Sequence, residues 1–166
     1  MYKTVVFDLD GTLLNTLTDL ADAGNRLCRK YGWPTHERQA YRYFVGNGIP
    51  KLVERLAPAD QRTPAVLEAA LADFKRDYGQ HLRDTTAPYP GIPEMLAKLK
   101  ANGVQLAVFS NKADALAKEV VKDYFGTQYF TIVRGQMTGV VPKPAAEGTN
   151  ALLQALHADP ASTLYV

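Results

Sequence analysis

The sequence predicts an α/β protein in which an all-helical insert interrupts a mostly parallel sheet directly after its first strand. Three patterns lead to this prediction. A short apolar run with β-branched residues at 4–7 opens the chain, as in a buried strand. Only helical patterns fill residues 16–86. From residue 93 onward helical and strand patterns alternate, which is typical of a parallel sheet with helices on its faces.

Start and stop signals predict the helices of the insert at about residues 16–31, 35–44, 50–56 and 64–82. Residues 16–19, Thr-Leu-Thr-Asp, have the capping-box pattern of a helix start. Thr35 can cap the second helix, and Thr63 followed by Pro64 is a strong start signal for the fourth. An apolar stripe at steps of three and four predicts that this fourth helix is the longest.

Residues 88–91, Pro-Tyr-Pro-Gly, form a rigid break after the insert. Beyond the break we predict helices at 93–102, 113–124 and 145–156, and strands at 104–109, 130–133 and 164–166. The predicted domains are therefore an α/β core of residues 1–15 and 87–166 and a helical domain of residues 16–86.

Composition argues against several classes of protein. The net charge of +2, without a basic run, gives no indication of a nucleic-acid partner. The single cysteine, Cys28, excludes an internal disulfide framework. No apolar stretch approaches the roughly 20 residues of a membrane span, and the chain opens on a strand rather than a signal peptide. We therefore expect a soluble cytoplasmic protein without membrane contact, and no feature predicts an oligomeric state.

Two aspartates follow the first strand. Because strand side chains alternate, Asp8 and Asp10 face the same side, about 6.6 Å apart along the strand. Gly11 permits a sharp exit, and open α/β sheets bind ligands at this edge. A plain Asx turn is the alternative. A calcium loop fits poorly, because Leu17 stands where an EF-hand needs Glu.

The segment FDLDGT, residues 7–12, together with the strand before it, resembles the first motif of the haloacid dehalogenase superfamily of phosphohydrolases. The resemblance extends along nearly the whole chain. It implies a Rossmann-like core with an inserted helical cap, and phosphoryl transfer through an aspartyl-phosphate. It also implies that Asp8 is the nucleophile and Asp10 the general acid and base, with Thr12 in the substrate site.

Two further segments can complete this site. Ser110 and Asn111 stand between a strand and a helix N-terminus, which favours anions; a simple helix cap is the alternative. Lys143 stands between two prolines; a solvated surface charge is the alternative interpretation of this lysine. The resemblance implies that Ser110 holds the phosphoryl group, with Asn111 beside it, and that Lys143 neutralises the phosphate and the nucleophile.

The charges also predict a metal ion. Like charges 4 Å apart repel by about 1 kcal/mol in water and about 4 kcal/mol at an effective dielectric of 20, and a phosphate dianion beside Asp8 and Asp10 meets several such pairs. Lys143 alone cannot offset them, so we expect Mg²⁺, the usual partner of carboxylates and phosphate. The resemblance implies that Asp8, the main-chain carbonyl of Asp10 and a later acid hold this ion.

Residues 44–55, FVGNGIPKLVER, resemble the cap segment of the phosphoglycolate phosphatase branch; a Gly-Asn-Gly turn between helices is the alternative. This resemblance implies that Asn47, Gly48 and Arg55 contact the substrate beyond its phosphate, with 2-phosphoglycolate as the expected substrate. A pyrophosphatase, a sugar-phosphate phosphatase and a phosphomutase remain open.

Family members continue beyond a strand like residues 164–166 into Gly-Asp and a further acid. Because the sequence ends at Val166, we expect a C-terminally truncated core without this metal ligand, and weak or no activity for the 166-residue form. A non-catalytic fragment is therefore the alternative to an enzyme.

Overall fold

The computed structural model describes residues 1–166, which divide into two compact units. One unit comprises Met1–Leu14 and Pro88–Val166, and the other comprises Asn15–Ala87. Two short strands, β2 (Leu14–Asn15) and β3 (Ala87–Pro88), pair with each other where the chain passes between the units. No helix in the chain is both long enough and apolar enough to cross a membrane.

A four-stranded parallel sheet forms the centre of the first unit. Its strands are β1 (Thr4–Phe7), β4 (Gln105–Ala113), β5 (Phe130–Gln136) and β6 (Thr163–Tyr165), in the spatial order β5-β4-β1-β6. Val6 lies opposite Ala107 on one side and Tyr165 on the other. The helices that alternate with these strands are α5 (Ile92–Ala101), α6 (Asp114–Phe125) and α7 (Ala146–Leu156). The predicted α/β architecture is confirmed.

The core of this unit joins the two central strands to α7. Val6 of β1 and Ala107 of β4 pack with Leu152 and Leu156 of α7, and all four are buried. Burying a leucine side chain contributes about 1.5–3 kcal/mol. This packing fixes the central strands, and with them the sheet edge at which β1 ends.

The second unit is helical. Its helices are α1 (Leu17–Tyr31), α2 (Tyr41–Phe44), α3 (Ile49–Leu56) and α4 (Pro64–His81), with short 3-10 turns at Arg38–Ala40 and Ala59–Gln61. At 18 residues, α4 is the longest helix, as predicted, and the hydroxyl oxygen of Thr63 caps it by accepting from Val66 N.

The second predicted helix, 35–44, is wrong over most of its length, because only Tyr41–Phe44 is α-helical. The side chain of Asn25 holds the preceding main chain in another conformation. Its Oδ1 accepts from His36 N at 2.9 Å, and its Nδ2 donates to His36 O at 2.9 Å. Since both main-chain groups of His36 are already bonded, no helix forms there.

The capping box at the start of α1 does not form either. Thr16 occupies the N-cap position without a side-chain bond to the helix. Asp19 is buried and instead accepts hydrogen bonds from the main chains and hydroxyls of Thr85 and Thr86. A tertiary contact thus replaces the local one.

Candidate active site

Asp8 directly follows β1, and its main-chain nitrogen donates to Val166 O at 2.8 Å. Leu9, which lies between the two aspartates, is fully buried, whereas Asp8 and Asp10 stay partly exposed. Leu9 O then accepts from Leu13 N, and Gly11 takes a φ of +85°, so the chain turns at once. Asp10 therefore sits in the turn after the strand rather than on the strand itself.

The Asp8 carboxylate is held through one of its oxygens. Oδ1 accepts from Leu9 N at 2.7 Å and pairs with Lys143 Nζ at 2.9 Å. Because both contacts fall on Oδ1, they orient the carboxylate while leaving Oδ2 for an incoming group. Sequence reasoning expected Asp8 and Lys143 to meet, and the structure brings them together.

Lys143 places its ammonium among three oxygen acceptors. Besides Asp8 Oδ1, Nζ donates to Phe109 O at 2.7 Å and to Tyr165 Oη at 2.6 Å. The centroids of the Phe109 and Tyr165 rings lie 5.5 and 5.3 Å from Nζ, within cation–π range. An ammonium group has three N–H donors, so one donor remains beyond the hydrogen bonds to Phe109 O and Tyr165 Oη.

Tyr165 is a member of this cluster that the sequence did not indicate. Its hydroxyl accepts from Lys143 and donates to Phe109 O at 3.2 Å. Burial raises the pKa of the Tyr165 phenol above its ordinary value of 10.0, against the lowering effect of Lys143. The phenol is therefore neutral at physiological pH and keeps its hydrogen for Phe109.

Asn111 anchors the loop that carries Lys143. Its Oδ1 accepts from Lys143 N at 2.8 Å, and its Nδ2 donates to Lys143 O at 3.1 Å. The structure thus gives Asn111 a bond to each side of the Lys143 main chain. Its predicted contact with substrate stays a prediction.

Ser110 lies within β4 and not after its end, because the strand runs on to Ala113 instead of stopping at residue 109. The expected helix N-terminus begins only at Asp114. Ser110 is buried, and its Oγ accepts from Lys112 N at 3.1 Å. That bond uses an oxygen lone pair and leaves the hydroxyl hydrogen for a phosphoryl oxygen.

Lys112 is the residue that sequence reasoning missed. Its Nζ lies 3.1 Å from Asp10 Oδ1 and 3.4 Å from Oδ2, and its side chain is only 3% exposed. A signal was available, because residues two apart in an extended segment face the same side, and Lys112 stands two positions after Ser110. Each aspartate therefore has its own lysine, which corrects the expectation that Lys143 is the one cationic side chain of the site.

The remaining predicted contacts fall in separate parts of the chain. Thr12 is half-buried in the turn after Asp10, and its nitrogen donates to Leu9 O. In the helical unit, Arg55 donates to Phe44 O at 2.8 Å and to Asn47 Oδ1 at 3.0 Å. Gly48, with a φ of +82°, precedes α3. The structure thus joins Arg55 and Asn47 within that unit.

The oxygen donors of Asp8 and Asp10 suit a hard divalent cation. Within residues 1–166 no group of three or more His, Cys, Asp or Glu side chains is placed to hold a metal. Mg²⁺ commonly binds through one or two carboxylates, with water and substrate phosphate completing its shell. The two aspartates fit that mode of binding.

Comparison with known proteins places the chain in a family. The model of the haloacid dehalogenase-like hydrolases matches residues 5–166. The chain belongs to this family. The phosphoglycolate phosphatase of Neisseria meningitidis serogroup A is 32% identical over 167 residues, covering 99% of this chain and 71% of that protein. That of Thiobacillus denitrificans is 34% identical over 134 residues, covering 79% of this chain and 59% of that protein.

The fold is shared with solved structures. A predicted phosphoglycolate phosphatase from Haemophilus somnus superimposes with a TM-score of 0.87 at 26% identity, covering 99% of this chain and 76% of that one. The alignments span 59% of the T. denitrificans protein and 71% of the N. meningitidis protein, so the chain matches only part of the length of these curated relatives.

Proposed function

We propose that this protein is a Mg²⁺-dependent phosphomonoester hydrolase that uses Asp8 as its nucleophile. One observation carries the proposal: two carboxylates at the carboxyl end of a parallel strand, each paired with its own lysine, Asp8 with Lys143 and Asp10 with Lys112. Membership of the hydrolase family supports it.

In the first step Asp8 Oδ2 attacks phosphorus, and the bond from phosphorus to the leaving oxygen breaks. Asp10 gives its proton to that oxygen, so the alcohol departs neutral. Ser110 and Lys143 bind the phosphoryl oxygens meanwhile. The product on the protein is an aspartyl-phosphate, the acyl phosphate (mixed anhydride) of Asp8.

In the second step water attacks the phosphorus of this acyl phosphate, and Asp10 takes the proton of the attacking water. The bond from phosphorus to Asp8 breaks, which returns the Asp8 carboxylate and releases inorganic phosphate. General acid–base assistance of this kind is worth about 10²–10⁴-fold in rate.

Asp8 and Asp10 would hold the Mg²⁺ ion. When bound, the ion supplies positive charge that offsets the phosphate and the developing charge of the transition state. The lysine contacts of both carboxylates are made without it.

For the substrate we propose 2-phosphoglycolate. The support is that the relatives at 32 and 34% identity are named phosphoglycolate phosphatases, and that residues 44–55 resemble the corresponding segment of that branch. Asn47, Gly48 and Arg55 are the predicted contacts for the glycolate carboxylate.

The test is phosphate release from a panel of 2-phosphoglycolate, glycerol phosphate, glucose 6-phosphate and pyrophosphate, with Mg²⁺ and after chelation. We expect the highest kcat/KM on 2-phosphoglycolate and no turnover after chelation. Asp8→Asn should be inactive because an amide is not a nucleophile, whereas Asp22→Asn, an exposed position in the helical unit, should match the wild type. Turnover by Asp8→Asn would overturn the mechanism, and equal rates on all substrates would overturn the substrate assignment.

A further inference from the structure

The buried ammonium group of Lys112 pairs with the carboxylate of Asp10. Its Nζ reaches both oxygens of Asp10, at 3.1 and 3.4 Å. The Lys112 side chain is 3% exposed and that of Asp10 is 22% exposed. Lysine is almost never fully buried unless it is paired, so this burial needs Asp10 as its partner.

An irregularity in the sheet brings Lys112 to this position. Strands β4 and β5 pair at Phe109 and Arg134, and again at Ala113 and Gln136. Three residues of β4 between these pairs therefore oppose one residue of β5, Gly135. Such bulges redirect side chains and are common beside active sites.

The bulge rests directly on Gly135. A Cβ at that position would clash with the carbonyl oxygen of Lys112 and lie 2.5 Å from Asp114 Cα. Gly135 N also donates to Asp114 Oδ1 at 2.9 Å. The main chain from Lys112 to Asp114 is thus packed closely against Gly135.

Asp10 itself has little support from the sheet, since it stands in the turn beyond β1. In the proposed reaction its carboxyl group must first meet the leaving oxygen and then the attacking water. A contact to both of its oxygens limits rotation of the group, and misplacement by about 1 Å can cost 10²-fold in rate.

We propose that Lys112 is a positioning residue that acts through Asp10, holding its carboxyl group in the orientation that proton transfer requires. The inference rests on the proposed function. Its expected kinetic signature is a loss of kcat without a loss of phosphate binding, because the Lys112 ammonium bonds to the Asp10 carboxylate, which in the proposed reaction acts on the leaving oxygen and the attacking water.

Lys112→Met tests this, since it removes the ammonium and keeps most of the aliphatic stem. Lys122→Met, at an exposed lysine of α6, is the control for loss of one positive charge. We expect kcat of Lys112→Met to fall by about 10–100-fold, while KM and the dissociation constant of orthophosphate stay within about threefold. Lys112→Arg, which can still reach a carboxylate with two donors, should recover part of the lost kcat.

A double variant separates positioning from other effects. In an Asp10→Asn background, Lys112→Met should cause no further loss of kcat, because its effect passes through Asp10. Multiplicative losses in the double variant, an unchanged kcat in the single variant, or a rise in KM alone would each overturn the inference.

Crystal structures provide a measurement that does not depend on activity or on the proposed function. In Lys112→Met the Asp10 carboxyl group should rotate away from its present position, while the Asp8–Lys143 pair stays at 2.9 Å. If Lys112→Met does not fold, the same comparison is made with Lys112→Gln. An Asp10 group that keeps its position in the variant would overturn the inference, even if the wild type hydrolyses every phosphoester in the panel.

Discussion

Replacing Asp19 by alanine should lower the stability of the helical unit strongly. The side chain is 2% exposed. Its Oδ1 accepts from Thr85 N at 2.9 Å and from the Thr85 hydroxyl at 2.5 Å. Its Oδ2 accepts from Thr86 N at 2.9 Å and from the Thr86 hydroxyl at 2.7 Å. The carboxylate thus ties the start of α1 to the last residues of the unit.

The expected loss follows from the burial of the donors. Thr86 is 6% exposed, and each buried donor that loses its acceptor costs about 1–3 kcal/mol. Thr85 is exposed, so water can replace its bonds. The Thr86 N–H cannot turn to another acceptor and carries this full cost. The Thr86 hydroxyl can rotate, so its loss is closer to one net hydrogen bond of about 0.5–1.5 kcal/mol. Together these losses give about 2–4 kcal/mol for Asp19→Ala.

Trp33 provides the assay, because it is the only tryptophan in the sequence, lies within the helical unit and is 4% exposed. With a urea slope of about 2 kcal/mol per M, its fluorescence midpoint should fall by about 1–2 M. Asp22→Ala is the matched control, since that exposed aspartate lies one turn later and only approaches Arg38 at 3.9 Å. Equal midpoints for the two variants would refute the reasoning.

The difference in stability between the wild type and Asp19→Ala should depend on pH in a definite direction. Burial of Asp19 acts to raise the pKa of its carboxyl group, but the hydrogen bonds from Thr85 and Thr86 outweigh it, and the pKa lies below its ordinary 3.8. Because the folded pKa is the lower one, the stabilisation is complete above the unfolded value and is lost as pH falls through the folded value. The gap between wild type and Asp19→Ala should therefore be constant from pH 7 to about pH 5 and shrink in stronger acid.

Two further predictions concern the candidate active site. Gly135→Ala should lower kcat in phosphate release as Lys112→Met does, because its Cβ would clash with the Lys112 carbonyl; an unchanged kcat with intact circular dichroism would contradict this. Tyr165→Phe should tighten orthophosphate binding, measured by calorimetry, by about 2–10-fold, which is the value of one hydrogen bond. The reason is that one N–H of Lys143 loses its acceptor, the Tyr165 hydroxyl, and can turn to a phosphate oxygen. Weaker binding by Tyr165→Phe would show that the phenol instead holds Lys143 in place.

Elements whose signals lie within a few neighbouring residues were predictable from the sequence. Thr63, Pro64 and the apolar stripe behind them gave the start and the length of α4. In the first unit, the alternation of strands and helices gave the parallel sheet. The contact between Asp8 and Lys143, which the structure shows at 2.9 Å, was expected from the resemblance to the hydrolase family, because position alone left Lys143 as a solvated charge.

Elements fixed by distant contacts were not predictable in this way. The helix expected at 35–44 is shortened by Asn25, eleven residues before His36. The capping box gives way to bonds between residues 66 and 67 positions apart. The length of β4 depends on its pairing with β5. In each case a side chain or a neighbouring strand offers a better partner than the local sequence does.

The second lysine also changes the electrostatic argument for a metal ion. With Lys143 as the one expected cation, the case for a divalent ion rested on the repulsion between the phosphate dianion and both aspartates. Since Lys112 pairs with Asp10 and Lys143 with Asp8, each aspartate already has a lysine beside it before the substrate enters. The negative charge that stays unbalanced is then that of the incoming phosphate dianion, and a divalent cation matches it. On this argument the affinity for Mg²⁺ should rise when phosphate is bound, and the affinity for phosphate should rise by the same factor when Mg²⁺ is bound.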